Sequence, residues 1–287
     1  MKHYHLSITS KCDQNCIFCL VKDDPKVIMS YKKALSLLKN ARQKGATLLS
    51  IDGGEPTILP YFKSLIKYSI KIGFKKIAIK TNGLGFYDYK FTKDIIEGNQ
   101  NIIKIYISLH AGNKIVHDKL AQKTDSYNIT CKAIKNIIRL NGDITANIVI
   151  CSQNYLYLKE YIGLLKNLKI KQTIYLLTAA RGNALKHPYI IPKIESVVPF
   201  VEESIDLADS LNIFVALTFF PFCALNKYYI NNTVESKMTD NIKKFDGHYK
   251  EKYKSAKCKI CKYYSNCPGV WKEYLKTNRF NFNPIIG

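Results

Sequence analysis

The chain has 287 residues, which is enough to bury a sizeable core in one large domain, or in one domain with a small appended module. Its hydrophobic content of 47%, with 20 Tyr and 13 Phe, excludes a solvated low-complexity chain. The start of the chain is too polar for a signal peptide, and no apolar run approaches the roughly 18 residues of a membrane span. These features predict a cytoplasmic protein.

The chain is strongly basic, with 44 Lys and Arg against 22 Asp and Glu and a net charge of +22. Such a charge makes a nucleic acid, an anionic membrane surface or an acidic peptide a natural partner. A general enrichment in Lys, Ile and Asn is the alternative explanation. Nearly all of the positive charge is lysine, which is weaker than arginine for bidentate phosphate readout. Charge alone therefore does not choose among these partners.

Strand and helix patterns alternate along most of the chain. The strand patterns are residues 5–9, 47–51, 76–80, 103–109, 145–150 and 173–177. The helix patterns are residues 31–41, 61–72, 91–96, 127–140, 155–168 and 194–211. Ser30 is the predicted N-cap of the first helix, and Gly45 is its predicted stop signal.

Six strands that alternate with helices predict an α/β fold with a parallel sheet and helices outside it. This number of units suits an open, partial (β/α)6 TIM-like barrel, and a doubly wound sheet is the competing layout. In either layout ligand sites gather at the carboxyl ends of the strands. The alternation stops after Pro221, which predicts a core domain of residues 1–220 and an appended module of residues 221–287.

Nine cysteines in a cytoplasmic chain indicate metal binding or catalysis rather than disulfides. Cys12, Cys16 and Cys19 are spaced Cys-x3-Cys-x2-Cys directly after the first strand pattern. Thiolates this close on a short loop suit one iron-sulfur cluster. Three ligands leave one iron open, which favours a catalytic site. A zinc knuckle, with His3 or His5 as a further ligand, or chance clustering are the alternatives.

This triplet, with the aromatic Phe18 just before its third cysteine, resembles the radical S-adenosylmethionine (radical SAM) superfamily. The resemblance implies a 4Fe-4S cluster on Cys12, Cys16 and Cys19 whose open iron binds the amino and carboxylate groups of SAM. It implies that an electron from the cluster cleaves SAM, and that the resulting 5'-deoxyadenosyl radical abstracts a substrate hydrogen. It also favours the partial barrel over the doubly wound sheet.

Gly53, Gly54, Glu55 and Pro56 follow the second strand pattern. On its own such a run reads as an ordinary turn, in which glycine permits close backbone approach and proline stiffens the exit. One strand-helix unit after the cysteine loop, it resembles the superfamily motif that binds the SAM amino group.

The resemblance implies further SAM contacts at other strand ends. By family analogy these are Phe18 along the adenine, Thr81 and Asn82 after the third strand, Ser108 and His110 after the fourth, and Asn147 on the fifth. Arg181, after the sixth strand, reaches SAM or substrate, or belongs to a loop that closes the barrel. For each residue taken singly, a polar group satisfied by neighbouring backbone or a core aromatic is an equally good reading.

A second cysteine group lies in the predicted module and comprises Cys223, Cys258, Cys261 and Cys267. It resembles the twitch form of the SPASM domain, which implies an auxiliary 4Fe-4S cluster with all four positions filled. A structural zinc site with four cysteine ligands is the rival. Cys151, at the end of the fifth strand, is a candidate hydrogen-atom donor to a substrate radical or a small buried hydrophobe.

The sequence therefore predicts a radical SAM enzyme, with an electron donor such as flavodoxin or ferredoxin as partner. A ribosomally made peptide or protein is the first substrate hypothesis, because twitch and SPASM modules recur in peptide-modifying members. With Cys12 as first ligand, no N-terminal peptide-recognition extension is expected. A small metabolite or cofactor precursor is the second hypothesis and RNA the third. A zinc-binding nucleic-acid module is the non-enzymatic alternative.

Overall fold

The computed structural model describes residues 2–22, 27–237 and 248–286. Within these residues, seven parallel strands form one sheet whose order follows the chain from β1 to β7. The strands are β1 Lys2–Thr9, β2 Ala46–Gly53, β3 Lys76–Thr81, β4 Ile103–Ser108, β5 Asp143–Ile150, β6 Gln172–Leu177 and β7 Phe214–Thr218. The six predicted strands are all present, and β7 is added to them.

Helices connect the strands and continue beyond β7. They are α1 Tyr31–Gln43, α2 Phe62–Lys71, α3 Tyr89–Ile96, α4 Lys114–Ala121, α5 Ser126–Arg139, α6 Leu158–Asn167, α7 Asn183–Lys186, α8 Ile194–Ser210 and α9 Tyr274–Thr277. The predicted N-cap is confirmed, because the Ser30 side chain accepts a hydrogen bond from the Lys33 backbone N–H at 3.3 Å. The sequence patterns did not predict α4 and α7.

The strand order determines the barrel. Every connection steps to the next strand in the same direction, and parallel crossovers are right-handed, so the connecting helices lie on one face of the sheet. The other face becomes the inner surface of an open, partial barrel. A doubly wound sheet would reverse its strand order at one point, so the partial TIM-like barrel is confirmed and the doubly wound alternative was wrong.

The two faces of the strands differ in polarity. On β3, Ile77 and Ile79 are fully buried in the core beneath the helices, whereas Lys80 on the inner face is exposed. There the Asp52 carboxylate accepts hydrogen bonds from Lys80 Nζ at 2.9 Å and bonds to His5 Nε2 at 2.6 Å. A closed eight-stranded barrel fills its interior with packed side chains. Here the interior is polar and open to water.

Beyond β7 the chain runs through short turns and a two-stranded antiparallel ribbon, β8 Lys252–Tyr253 and β9 Val270–Trp271. Val270, Trp271 and Tyr274 join the core cluster of the barrel. The Tyr274 hydroxyl also accepts a hydrogen bond from the backbone N–H of Ile194, the first residue of α8, at 3.1 Å. The boundary between residues 220 and 221 stays a prediction, and residues 238–247 and 287 of the predicted module lie outside the described residues.

In the part of the chain that the structure describes, no helix combines the length and the apolar character that crossing a membrane requires.

Candidate active site

The cysteine loop starts directly after β1 and rests on the end of helix α4. The backbone N–H of Asn15 donates to the carbonyl of Ala121 at 3.2 Å, and that of Ile17 donates to Leu120 at 3.0 Å. The last carbonyls of a helix have no partner inside the helix, so the loop supplies donors that they need. Helix α4, which the sequence patterns missed, is therefore a support of the three cysteines.

The loop after β6 braces the cysteine loop from another side. The Asn183 backbone N–H donates to the carbonyl of Cys19 and its side-chain amide donates to the carbonyl of Cys16, both at 3.0 Å. Gly182 has a φ of 59°, and a Cβ there would lie 2.3 Å from the Cys19 carbonyl oxygen. Only glycine fits this approach without displacing the backbone.

Arg181 belongs to the same brace. Its Nη1 donates to the carbonyl of Leu20 at 3.0 Å, and its Nε lies 3.1 Å from a carboxylate oxygen of Glu251. The side chain therefore joins the cysteine loop to the segment beyond β7. These contacts place Arg181 beside the cysteine loop, and its predicted contact with SAM or substrate stays a prediction.

The glycine pair after β2 meets the backbone of the cysteine loop. The Gly54 N–H donates to the Thr9 carbonyl at 2.6 Å, and the Glu55 N–H donates to the Lys11 carbonyl at 2.8 Å. A Cβ on Gly54 would lie 2.0 Å from the Lys11 carbonyl oxygen. These glycines thus permit close approach between two protein backbones, in addition to the approach to a ligand that the sequence suggested.

Glu55 is buried at the centre of this junction. Its carboxylate accepts hydrogen bonds from the Thr57 N–H at 3.1 Å, the Thr57 hydroxyl at 2.6 Å, the Thr81 hydroxyl at 2.8 Å and the Asn82 N–H at 2.6 Å. Burial raises its pKa to about 6, against these hydrogen bonds. The carboxylate joins the end of β2 to the end of β3 and is ionised at neutral pH.

Asn82 extends the junction to the cysteines. Its side-chain amide donates to the Asp13 carboxylate at 2.6 Å and lies 3.8 Å from the Cys12 sulfur. Thr81 and Asn82 were predicted to contact SAM. The structure brings both residues to Glu55, and Asn82 also to the cysteine loop, at the carboxyl ends of the strands.

Phe18 of the cysteine loop packs against His110, which follows β4. Their rings meet edge to face with centroids 4.6 Å apart, and both side chains are buried. His117 of α4 stacks on His110 and accepts its backbone N–H on Nδ1 at 3.1 Å. Burial lowers the pKa of His117 to about 4 and that of His110 well below its usual value. Both rings are therefore neutral at pH 7.

Ser108 and Asn147 are register partners at the inner face of β4 and β5. Asn147 Oδ1 is buried and has no hydrogen-bond partner among the residues that the structure describes. A buried acceptor without a partner indicates that another group completes the site. A ligand with hydroxyl or amino donors, such as SAM, fits that requirement.

Cys151 is fully buried at the end of β5. It packs in a small apolar cluster with Ile17 and Phe18, and its backbone N–H donates to the Asn154 side chain at 2.8 Å. Burial raises the pKa of its thiol to about 12. In the described structure this residue has the surroundings of a packed small hydrophobe.

The donor set fits a metal-bound group at the loop. Burial raises the pKa of the Cys12 thiol to about 11. Burial also raises the pKa of the Cys16 thiol, and the nearby Cys12 and Cys19 raise it further. Thiolates that repel one another need a cation to hold them deprotonated. Among the described residues, no group of three or more His, Cys, Asp or Glu side chains already forms a site for a metal ion, so the fit rests on the chemistry of the three thiols.

The second cysteine group is also brought together. Cys223, Cys258, Cys261 and Cys267 line one pocket, which Lys254 and aromatic side chains complete. Burial raises the pKa of Cys223 to about 11, and Cys267 and Cys258 raise it further. Cys223 and Cys267 are far apart in sequence, so their convergence is a finding of the structure. Lys254 was not singled out in the sequence.

Residues 6–165, more than half of the chain, match the sequence profile of the Radical SAM superfamily. The chain belongs to the radical SAM superfamily. Members of this superfamily use a 4Fe-4S cluster and SAM. The matched stretch contains the three cysteines of the loop, the glycine pair after β2 and the residues at the ends of β3, β4 and β5.

A curated relative from Saccharolobus islandicus, named probable GTP 3',8-cyclase, is 22% identical over 175 residues. That match covers 60% of this chain and 55% of the relative, so this radical SAM chain spans about half the length of the curated proteins it matches.

Solved radical SAM structures share the fold. SuiB of Streptococcus suis bound to S-adenosylmethionine has a TM-score of 0.69 at 16% identity, covering 96% of this chain and 74% of SuiB. SuiB bound to its precursor peptide SuiA has a TM-score of 0.63 at 18% identity, covering 98% and 62%. The anSMEcpe structure with AdoMet and a peptide has a TM-score of 0.66 at 17% identity, covering 94% and 89%.

The glycine contacts give a first prediction. Replacing Gly54 or Gly182 by Ala places a methyl group within 2.3 Å of a backbone carbonyl oxygen, and we expect a loss of about 1–3 kcal/mol in the free energy of unfolding. Gly163→Ala in α6 is the control. Its Cβ meets nothing within 4 Å in the described structure, and helix propensity predicts a gain of up to about 1 kcal/mol. Urea denaturation of the three apo variants measures both effects, and a neutral Gly54→Ala contradicts the prediction.

The pKa of Glu55 gives a second prediction. The folded-state value of about 6 lies above the ordinary 4.5, so the folded protein binds this proton more tightly than the unfolded chain does. The stabilisation is complete below pH 4.5 and is lost as the pH rises through 6, a change of about 2 kcal/mol. Glu55→Gln cannot titrate, so we expect the stability difference between wild type and variant to change by this amount from pH 4.5 to 7. The exposed Glu97→Gln controls for the loss of a carboxylate, and parallel profiles for wild type and Glu55→Gln contradict the assignment.

Proposed function

We propose that the protein is a radical SAM enzyme that reductively cleaves S-adenosylmethionine, with a 4Fe-4S cluster held by Cys12, Cys16 and Cys19. The observation that carries the proposal is the bracing of this loop at the carboxyl ends of the strands. Separate contacts from β2, β6 and α4 fix the backbone that carries the three thiols. When bound, the cluster supplies the electron that cleaves SAM to a 5'-deoxyadenosyl radical.

The residues around the loop hold and orient SAM in this proposal. The backbone carbonyls of Gly53 and Gly54, stiffened by Pro56, and the negative charge of Glu55 receive the ammonium group. Ionised Glu55 keeps this charge at neutral pH because its pKa of about 6 lies below 7.

Polar groups of the later strands complete the SAM site. Thr81, Asn82 and Ser108 approach the carboxylate and ribose, and Asn147 offers its unpartnered acceptor oxygen. His110 receives the Val149 N–H on Nδ1 at 3.4 Å, so its proton is on Nε2, where it can be donated. Phe18 lies along the adenine. Arg181 positions the cysteine loop rather than the ligand. Cys151 retains a proposed hydrogen-donor role only if the apolar cluster around it opens.

We propose a second, auxiliary 4Fe-4S cluster on Cys223, Cys258, Cys261 and Cys267, in a twitch or SPASM-like module. The support is the convergence of these four thiols on one pocket. Four ligands fill a cluster, so this site serves electron transfer or substrate placement rather than SAM binding. Lys254 at the same pocket offsets the negative charge of a thiolate cluster.

For the substrate we propose a ribosomally made peptide or protein. SuiB has been solved with its precursor peptide and anSMEcpe with a peptide, and both share the fold of this chain. The net charge of +22 suits an acidic leader or substrate. A nucleotide or other small metabolite is the second candidate, because the curated relatives are named GTP 3',8-cyclases. RNA is the third. A flavodoxin or ferredoxin supplies the electron.

Measuring the iron and zinc content of the protein distinguishes the proposed radical SAM enzyme from a zinc-binding nucleic-acid module. Two four-iron clusters give about eight irons per chain after anaerobic reconstitution. Two zinc ions and no iron would favour the module, and a salt-steep affinity for RNA would favour the third substrate class.

Cys16→Ala removes one ligand of the SAM-binding cluster, and we expect formation of 5'-deoxyadenosine from SAM under dithionite to fall to background. Chromatography of the anaerobic reaction measures the product. Cys131→Ala is the matched control, because Cys131 lies on α5 and belongs to neither cysteine group. Product formation by Cys16→Ala at the wild-type rate contradicts the cluster assignment.

The double variant Cys258→Ala/Cys261→Ala removes two ligands of the auxiliary cluster, because three remaining cysteines could still hold four irons, as proposed for the first cluster. We expect the reconstituted variant to lose about half of its iron and to lose substrate modification. The paramagnetic signal of the first cluster should still respond to added SAM. Iron analysis and electron paramagnetic resonance make the measurement. An iron content equal to that of wild type rules out the auxiliary site.

A further inference from the structure

We infer that the chain segment 280–285 forms one wall of the auxiliary site, where it donates a backbone hydrogen bond to the Cys261 sulfur and keeps water from the thiols. This inference rests on the auxiliary cluster proposed above and deepens it. None of the sequence motifs of the second cysteine group includes this segment.

The segment lies directly against the thiols. Phe282, Asn283 and Pro284 line the same pocket as the four cysteines. The backbone N–H of Ile285 donates to the Cys261 sulfur at 3.4 Å. The segment is therefore part of the pocket that the cysteines form, although it lies well beyond Cys267 in the sequence.

Backbone contacts hold this position in register. The carbonyl of Ile285 accepts a hydrogen bond from the Lys262 N–H at 3.0 Å. Both backbone polar groups of Ile285 are therefore bonded, its N–H to Cys261 and its carbonyl to Lys262. Burial raises the pKa of the Cys223 thiol, and the backbone of Asn283 lowers it by a smaller amount. One of the four sulfurs, that of Cys261, thus receives a backbone hydrogen bond from this segment.

Burial alternates along most of the segment. Phe280, Phe282 and Pro284 are half-buried, whereas residues 279, 281 and 283 are exposed. Ile285 is half-buried as well, and its N–H reaches the Cys261 sulfur. The half-buried side chains of Phe282 and Pro284 thus belong to the part of the segment that lines the pocket.

Aromatic packing fixes the start of the segment. The Phe282 ring meets Tyr253 of β8 edge to face with centroids 5.7 Å apart, and it meets Phe280 in the same manner at 4.9 Å. Because β8 pairs with β9, which is in the barrel core, this packing connects the wall to the barrel. The wall is therefore anchored independently of the cysteines.

Two consequences follow for a bound cluster. Hydrogen bonds to the sulfurs and exclusion of solvent are two of the factors that set the reduction potential of an iron-sulfur cluster. N–H donors stabilise the more negative, reduced state, so their loss makes the cluster harder to reduce. Loss of the Phe282 side chain opens the pocket and exposes iron and sulfur to water.

The first test compares Ile285→Pro with Ile285→Ala in the reconstituted full chain. Proline removes both the side chain and the N–H donor to Cys261, whereas alanine removes the side chain alone. We expect a more negative midpoint potential of the auxiliary cluster in Ile285→Pro than in Ile285→Ala, measured by redox titration with electron paramagnetic resonance. The potential of the first cluster is the internal reference and does not change.

The second test uses the apoprotein and needs no cluster. Iodoacetamide labelling followed by mass spectrometry measures the alkylation rates of the individual cysteines. We expect Phe282→Ala to raise the rates at Cys223 and Cys261 several-fold, while the rate at Cys12 stays at the wild-type value. Unchanged rates at Cys223 and Cys261 contradict the wall.

The outcomes separate the two levels of the proposal. Equal auxiliary potentials in Ile285→Pro and Ile285→Ala overturn the inference while leaving the auxiliary cluster in place. Wild-type protein that holds only about four irons overturns the auxiliary cluster itself, and with it the role of the wall in tuning that cluster.

Discussion

The candidate active site depends on close backbone-to-backbone contact at the carboxyl ends of the strands. The cysteine loop meets the Gly53–Gly54 turn on one side and Gly182 on another, at distances that leave no room for a side chain at Gly54 or Gly182. Main-chain hydrogen bonds, with one from the Asn183 side chain, therefore position the backbone of Cys16 and Cys19. The loop that carries the three thiols is held in this way although it has no regular secondary structure.

The open barrel divides the molecule into a dry region and a wet one. Its inner face is polar, and Lys80 and His5 on it stay more than half exposed while they contact Asp52. The dry region lies at the strand ends, where Phe18 and His110 are buried. Radical chemistry needs a site from which water is excluded. The buried Phe18 and His110 provide such surroundings next to the cysteine loop, where the candidate SAM contacts lie.

Much of the fold followed from the sequence because the period of the apolar residues changes clearly between strands and helices. The pattern gave the six strands and the helices between them, and Ser30 was correctly placed as an N-cap. The sequence pattern did not predict helix α4, because only His117, Leu120 and Ala121 of its eight residues are buried. Three buried residues are too few to show the helical period of apolar positions. The pattern also did not predict β7 as a strand of the sheet. The strand contains Phe214 and Val215 and is followed by short turns instead of a further helix.

The candidate site was predictable where residue identity carries the chemistry and unpredictable where the backbone carries it. Cysteines and the glycine pair are visible in the sequence, since few other residues can replace them. Asn15, Ile17 and Gly54 join the cysteine loop to its neighbours through main-chain N–H groups, which almost any residue supplies. The N–H donor of Ile285 to Cys261 is equally invisible in the sequence, because every residue except proline has one.

The two cysteine groups place different demands on folding. Cys12, Cys16 and Cys19 share one short loop that the barrel fixes, so a group bound there adds little order to the chain. Cys223 and Cys267 close a much longer stretch of chain, and short turns predominate in the part of it that the structure describes. The entropy cost of closing a loop grows with its length, so a ligand that joins these residues removes more freedom from the unfolded chain. A four-iron group at the second site would therefore act on the stability of the module, whereas one at the first site would act mainly on its chemistry.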